Sequence, residues 1–226
     1  DVTFAVDRAG LVGADGATHA GSFDLSFTRI LPNMLVMAPA DEQECRLMLQ
    51  TALQYQGPAM VRYPRGSGPG ASVSTELETL PIGRAISIRQ GKQIALLAFG
   101  SMVQVASSVA DKLDATLINM RFIKPLDESL LLQLVDEYQM LVTLEENVVA
   151  GGAGSAIGEL LAHHGLNERV ALVHIGLPDS YVPHGRPEEQ FKQCELDGES
   201  VLQKIRLAQA DLKSGAGLAD GARTHA

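Results

Sequence analysis

Cysteine, basic residues and long apolar runs are all scarce in this sequence of 226 residues. Its two cysteines, Cys45 and Cys194, are too few and too far apart for a disulfide framework or a thiolate metal cluster, so a reducing, cytoplasmic compartment is expected. Eighteen Lys and Arg against 27 Asp and Glu give a net charge of -9, which argues against a nucleic-acid-binding surface. No apolar run approaches the roughly 20 residues that cross a bilayer, so no membrane partner is expected.

The sequence also lacks the short motifs of several catalytic classes. It contains no G-x-S-x-G, C-x-x-C, H-E-x-x-H or Walker motif, so the residues supply binding groups without an obvious catalytic centre. It begins at Asp1 with neither a methionine nor a signal peptide, directly in a buried-strand pattern. From this start we expect a fragment of a longer protein.

Short apolar runs rich in β-formers recur along the chain and alternate with helical patterns. Most are continuous rather than alternating hydrophobes, which is typical of parallel strands covered on both faces. Asp41 and Glu44 are spaced as in a capping box, which predicts a helix over residues 40–54. The sequence therefore predicts an α/β fold with open sheets of mainly parallel strands and helices on both faces. The predicted strands are 2–6, 35–38, 59–63, 94–99, 116–120, 141–144 and 170–175.

A glycine- and proline-rich stretch after Arg65 interrupts the alternation and marks a domain boundary. Residues 1–70 are too short for a complete α/β domain and read as the last part of one. Residues 71–81 form a predicted linker, and residues 82–213 a complete second domain. Residues 214–226 lack an apolar stripe, so we expect a disordered tail.

The densest group of candidate binding residues is residues 7–21, which directly follow the first predicted strand. Four glycines within 12 residues allow the backbone to approach a ligand, and Arg8, Asp15 and His19 bring charged or titratable groups. Ligands of open α/β sheets bind at the carboxyl ends of the strands. The alternative is a surface loop in which Asp7 or Asp15 only pairs with Arg8.

Arg65 lies at the carboxyl end of another predicted strand, as Arg8 does. If the two strands are neighbours, two guanidinium groups converge on one crevice, a geometry that suits a phosphate. A solvated arginine is the alternative for Arg65 alone. For His19, an imidazole that titrates near neutral pH can move a proton.

A second glycine-rich segment, residues 151–158, lies between a predicted strand and a predicted helix. Its spacing, G-x-G-x-x-x-G, is one residue longer than the dinucleotide-binding fingerprint, so tight helix packing or a subunit contact is the preferred interpretation. The pair His163 and His164 is interpreted as a helix end rather than a metal site. Cys45 is expected in the core.

Several segments resemble the 1-deoxy-D-xylulose-5-phosphate synthases, thiamine-diphosphate enzymes related to transketolase. The resemblance runs in order from residue 1 to about residue 210 and is most specific in the first motif. Its motifs are D-R-A-G-L-V-G-A-D-G-A-T-H-A-G (7–21), F-D-L-S (23–26), P-A-D-E (39–42), R-Y-P-R-G (62–66), R-F-I-K-P-L-D (121–127) and E-E-N (145–147).

The resemblance implies a decarboxylating condensation of pyruvate with glyceraldehyde 3-phosphate, the first step of a route to isoprenoids and thiamine. Arg8 and Arg65 match the residues that hold the acceptor's phosphate. Asp15 and His19 match the polar pair beside its hydroxyl and reacting carbonyl, with His19 as the catalytic residue. The segment resembles the end of a transketolase-type pyrimidine-binding domain followed by a transketolase C-terminal-type domain, and a homodimer is implied.

The family motifs that hold thiamine diphosphate and Mg²⁺, and the glutamate that activates the cofactor, have no match in these residues. The chain alone is therefore expected to be inactive without the missing N-terminal part, and no cofactor or metal ligand is predicted within it. Two alternatives remain: a transketolase or 2-oxo-acid dehydrogenase β-type chain, and a non-catalytic anion-binding or dimerisation module.

Overall fold

The computed structural model describes residues 1–214, so most of the predicted tail, residues 215–226, lies outside the described residues. Ser214 itself is the last residue of the final helix. Within residues 1–214 the chain forms nine strands: β1 (Val2–Val6), β2 (Leu35–Met37), β3 (Pro58–Arg62), β4 (Ile86–Arg89), β5 (Ile94–Ala98), β6 (Thr116–Asn119), β7 (Phe122–Lys124), β8 (Met140–Val148) and β9 (Ala171–Leu177).

Seven α-helices and one 3-10 turn, Gly13–Asp15, connect these strands within the same described range. The second helix begins at Glu42, and the Asp41 side chain accepts a hydrogen bond from the Glu44 backbone N–H, as the capping pattern predicted. The helices are α1 (Asp24–Thr28), α2 (Glu42–Gln54), α3 (Met102–Leu113), α4 (Glu128–Glu137), α5 (Ala153–His163), α6 (Pro187–Gln193) and α7 (Gly198–Ser214).

The strands form two mainly parallel sheets, which confirms the predicted fold class. The larger sheet has the order β4-β6-β5-β8-β9, and only its edge strand β4 is antiparallel to its neighbour. Alternate residues of β5 face opposite sides: Ile94, Leu96 and Ala98 pack with α3 and α7, whereas Ala95 and Leu97 pack with α4 and α5. A strand covered on both faces reads as a continuous apolar run, which is why β5 was evident from sequence.

The smaller sheet has the order β1-β3-β2-β7, and α2 covers one of its faces. Its other face contributes Val36 and Met60 to a core that also contains Phe99, Met120 and Leu141. The antiparallel strand β7 lies within predicted residues 82–213 but completes this first sheet. The two predicted domains therefore share a core and a sheet, and the linker at 71–81 stays a prediction.

Candidate functional site

The glycine loop, residues 7–21, leaves the sheet beside the segment that carries Arg65. Strands β1 and β3 pair in parallel, with Val6 opposite Arg62, so the chain leaves both strands at the same edge of the sheet. The Ala9 backbone N–H donates to the Tyr63 carbonyl at 3.0 Å, which continues this pairing into the loop. The carboxyl ends of the two strands thus come together, as their predicted adjacency required.

The two arginines meet on one carboxylate oxygen. Arg8 Nε lies 3.0 Å from Asp15 Oδ2, and Arg65 Nε lies 3.1 Å from the same atom. The Arg65 side chain keeps 53% of its surface exposed. The hydrogen bond from Arg8, aided by the charge of Arg65, lowers the pKa of Asp15 below its usual value. Asp15 therefore carries a negative charge and lies between two positively charged side chains.

His19 lies on the exposed side of the same loop. Its Nδ1 is 2.9 Å from the Thr18 hydroxyl, and its charge, when present, also lowers the pKa of Asp15. The structure thus gathers Arg8, Asp15 and Arg65 through direct contacts and places His19 close enough to act on Asp15 electrostatically. Their roles toward a substrate stay predictions.

The strand β8 is longer than predicted and includes the E-E-N motif. The expected strand ended at residue 144, but β8 continues to Val148 with Glu145, Glu146 and Asn147 buried. Glutamates are rare in buried strands, which is why the sequence pattern ended too early. Each of the three side chains holds a different segment of the chain.

Glu146 faces the glycine loop. Its Oε1 accepts a hydrogen bond from the Leu11 backbone N–H at 2.7 Å, and its Oε2 accepts one from the Ser101 hydroxyl. Gly10 has φ +68°, and a side chain there would overlap the Glu146 carboxylate. Burial raises the pKa of Glu146 above its usual value, because the desolvation effect exceeds that of its hydrogen bonds.

Glu145 faces the opposite way, toward the second glycine segment (residues 151–158). Its two carboxylate oxygens accept hydrogen bonds from the backbone N–H groups of Ala153 and Gly154, both at 2.7 Å. These groups begin α5 and would be the phosphate donors of a dinucleotide site. The protein's own carboxylate occupies them, which favours the packing interpretation of this segment. Burial raises the pKa of Glu145 to about 7.

Arg62 is a structural residue of the site to which the sequence analysis assigned no role. It is only 5% exposed, and its Nη2 donates to the carbonyls of Gly21 and Glu146, each at 2.7 Å. Its Nε also lies 3.4 Å from Asp24 Oδ2. A charged residue inside the apolar run of β3 was the signal that could have identified it.

The remaining candidates have structural surroundings. His163 is the last residue of α5, and the C-cap residue His164 has Nε2 2.7 Å from Glu128 Oε1, as expected for a helix end. Cys45 was expected in the core, but it is half-buried because α2 buries Glu44 and Met48 instead. Across residues 1–214, no group of three or more His, Cys, Asp or Glu side chains is placed to hold a metal ion.

Comparison with known proteins identifies two family models. The transketolase pyrimidine-binding domain matches residues 1–70, and the transketolase C-terminal domain matches residues 83–201. The 1-deoxy-D-xylulose-5-phosphate synthase of Nitrosomonas europaea is 56% identical over 205 residues, which is 91% of this chain and 33% of the relative. That of Thioalkalivibrio sulfidiphilus is 53% identical over 97% of this chain and 34% of the relative. This chain therefore spans about a third of the length of these curated relatives.

Two solved structures share the fold of this chain. A chain described as a split-gene transketolase, inactive β4 tetramer, superposes with a TM-score of 0.80 and 30% identity, covering 92% of this chain and 67% of that one. Transketolase from Campylobacter jejuni superposes with a TM-score of 0.64 at 19% identity, covering 90% of this chain and 31% of that one, and shows the fold alone.

Proposed function

Because this chain belongs to the transketolase family, we propose that it forms the acceptor-phosphate site of a 1-deoxy-D-xylulose-5-phosphate synthase. The full enzyme would be a thiamine-diphosphate-dependent transferase that joins pyruvate, with loss of carbon dioxide, to glyceraldehyde 3-phosphate. The observation that carries the proposal is the convergence of Arg8 and Arg65 on Asp15 at the shared end of β1 and β3. Two guanidinium forks at one point suit the several oxygens of a phosphate monoester.

Each polar group of the site has a separate role in the proposal. Arg8 and Arg65 bind the phosphate through N–H groups that remain open to solvent. Asp15, held as an anion, accepts a hydrogen bond from the acceptor's hydroxyl. His19, exposed on the same loop, donates a proton to the aldehyde oxygen as the new carbon–carbon bond forms.

The described residues do not fit Mg²⁺ or the diphosphate of thiamine diphosphate. Thiamine diphosphate would supply the electron sink for decarboxylation, and its diphosphate would need a cluster of oxygen ligands around the metal. No such cluster is present in residues 1–214, and Glu145 already occupies the N–H groups of the second glycine segment. We therefore assign the binding of Mg²⁺ and the diphosphate to the part of the enzyme that the relatives have in addition.

The proposal is tested in a hybrid in which this chain replaces the matching third of the Nitrosomonas europaea synthase. With thiamine diphosphate, Mg²⁺, pyruvate and glyceraldehyde 3-phosphate, the hybrid should form 1-deoxy-D-xylulose 5-phosphate, whereas the 226-residue chain alone should not. Absence of product from a folded hybrid would refute the proposed reaction. Product from the chain alone would refute the assignment of the cofactor site.

Arg65→Ala in the hybrid tests the phosphate assignment. Loss of a hydrogen bond to a charged group should raise the KM for glyceraldehyde 3-phosphate roughly ten- to hundredfold, with little change for pyruvate. Arg206→Ala, at an exposed arginine of α7, is the matched control and should change neither constant. Equal increases for both substrates in Arg65→Ala would show that Arg65 does not hold the phosphate.

The split-gene transketolase favours a second candidate, a separate transketolase-type chain that acts with a partner chain. Its description as an inactive β4 tetramer says that a chain with this fold, of which this chain covers 67%, assembles with copies of itself and is inactive in that form. This alternative predicts transfer between sugar phosphates without pyruvate, and an oxo-acid dehydrogenase β chain predicts transfer to a lipoyl group. A non-catalytic module predicts phosphate binding with no turnover in the hybrid.

Two further expectations remain part of the proposal. A homodimer is supported by three large apolar side chains left exposed at and after α1, namely Phe27, Ile30 and Leu31. A cytoplasmic location is supported by two free thiols, Cys45 and Cys194. None of the helices within residues 1–214 is long and apolar enough to cross a membrane.

A further inference from the structure

Two buried side chains hold the glycine loop from beneath, and both come from the second half of the chain. Glu146 of β8 is 4% exposed and accepts from the Leu11 N–H at 2.7 Å. Gln190 of α6 is 3% exposed, and its Oε1 accepts from the Gly13 N–H at 2.9 Å. The amide nitrogen of Gln190 is fixed in turn, because it donates to the Pro183 carbonyl at 2.7 Å.

The two contacts hold Leu11 and Gly13, which come four and two positions before Asp15, the residue that both arginines contact. Gly13 begins the 3-10 turn that ends at Asp15. The Gly13 carbonyl also accepts from the Gly185 N–H at 3.2 Å, so both backbone groups of Gly13 are bonded to the segment around α6. The position of Asp15 relative to Arg65, which lies on a different strand end, therefore depends on residues of the second half.

We propose that Glu146 and Gln190 are positioning residues for acceptor binding: they fix the glycine loop so that Arg8, Asp15 and Arg65 meet. By this inference the C-terminal-type domain takes part in recognition of the phosphorylated acceptor without contacting it. The inference rests on the proposed function, which it deepens.

The chemistry of the two contacts determines which substitutions are informative. Gln190→Leu keeps a similar volume but leaves the buried Gly13 N–H without its acceptor, which favours movement of the loop. Glu146→Leu does the same to the Leu11 N–H. Glu146→Gln retains an acceptor for Leu11 and presents an amide N–H to the Ser101 hydroxyl, so hydrogen bonding survives while the charge is lost. If Glu146 has a positioning role, Glu146→Gln should preserve recognition of the phosphorylated acceptor and Glu146→Leu should not.

The experiment compares two acceptors in the hybrid enzyme, glyceraldehyde 3-phosphate and unphosphorylated glyceraldehyde. Both Leu variants should lose about tenfold in kcat/KM for the phosphorylated acceptor relative to the unphosphorylated one, with the KM for pyruvate unchanged within about twofold. Glu146→Gln should keep the wild-type ratio. Gln193→Leu, the same change at an exposed position of α6, is the matched control and should also keep it.

Two results would overturn the inference. Wild-type kcat/KM values for both acceptors in Gln190→Leu would show that the contact does not serve acceptor binding. An equal loss for both acceptors, which leaves their ratio unchanged, would show a general structural role instead of phosphate recognition. If the wild-type hybrid forms no product, the proposed reaction fails, and hydrogen exchange in the 226-residue chain then tests the positioning directly. The Gly13 amide should exchange faster in Gln190→Leu but not in Gln193→Leu, and unchanged protection would exclude the contact as an anchor.

Discussion

The two glycine-rich segments of this chain both donate backbone N–H groups to buried side chains of the protein, but only the glycine loop also carries charged side chains. In the second glycine segment, Glu145 takes the N–H groups of Ala153 and Gly154 at the start of α5. In the glycine loop, Glu146 and Gln190 take the N–H groups of Leu11 and Gly13 from the buried side. The loop's own charged side chains stay at the surface.

This difference shows what a glycine pattern can and cannot predict. In both segments glycine permits a close approach, but the approaching group is a carboxylate of the protein itself, supplied by adjacent residues of β8 that face opposite ways. In the proposed function, anion binding is left to Arg8 and Arg65, whose side chains are 36% and 53% exposed. The candidate site is therefore defined by Arg8 and Arg65. The glycines allow buried side chains to approach the backbone of the loop and hold it in place.

The largest expected effect separates the glycines of the two segments. Gly10→Ala places a side chain at φ +68° and against the Glu146 carboxylate, so left-handed strain and overpacking together should cost about 3 kcal/mol or more in the free energy of unfolding. Gly158→Ala, at a helical position where the new Cβ meets Leu172 at 3.6 Å, should change it by about 1 kcal/mol or less. Urea unfolding of the 226-residue chain measures both.

Equal losses in the two alanine variants would contradict the contrast between the segments. A stable Gly10→Ala variant would show that the loop can leave Glu146 without cost, which would also weaken the assignment of Glu146 as an anchor.

Much of the fold was predictable because its central strands are apolar throughout. The interior strand β5 followed from its continuous apolar run, and the parallel pairing of β1 with β3 brought Arg8 and Arg65 together. The expectation that the first strand is buried was wrong, because β1 lies at the sheet edge with Val2 and Phe4 exposed. The edge strands β4 and β7 were missed for different reasons: β4 is mostly exposed and mixes polar with apolar residues, whereas β7 has only two apolar residues, Phe122 and Ile123, before Lys124.

The anchors of the loop were not predictable from local pattern. Gln190 lies 177 positions from Gly13 and carries no charge or motif that links the two. The E-E-N motif was noticed only through the resemblance, and the predicted strand ended at residue 144, whereas β8 continues to Val148. Local rules predict where a chain turns, whereas the partner of a buried N–H group is decided by tertiary contacts.

The second-largest expected effect is the pH dependence that Glu145 gives to the free energy of unfolding. Burial raises its pKa to about 7 from a usual value near 4.5, so the folded chain binds its proton more tightly than the unfolded chain. This group therefore favours folding most below pH 4.5, and that contribution is lost as the pH rises to about 7. The change amounts to about 3 kcal/mol.

Glu145→Gln should remove this contribution. The stability of the wild-type chain minus that of the variant should fall as the pH rises from 5 to 8, measured by urea unfolding at each pH. The exposed substitution Glu137→Gln is the control, and its difference from wild type should stay constant. A Glu145→Gln difference that does not vary with pH would show that the Glu145 carboxylate is not held in a desolvated site.

The smallest effect tests whether Asp15 competes with an anion for the two arginines. Asp15 contacts both Arg8 and Arg65, whereas Asp7 contacts Arg8. Asp15→Asn should tighten the binding of inorganic phosphate to the 226-residue chain by up to about fivefold, because exposed ion pairs are weak. Asp7→Asn should tighten it less, and calorimetric titration at low salt measures both. In the hybrid, Asp15→Asn should still lower turnover, since the proposed partner of the acceptor's hydroxyl is lost. Weaker phosphate binding in Asp15→Asn would mean that Asp15 holds the two guanidinium groups in place for the anion and does not compete with the anion for them.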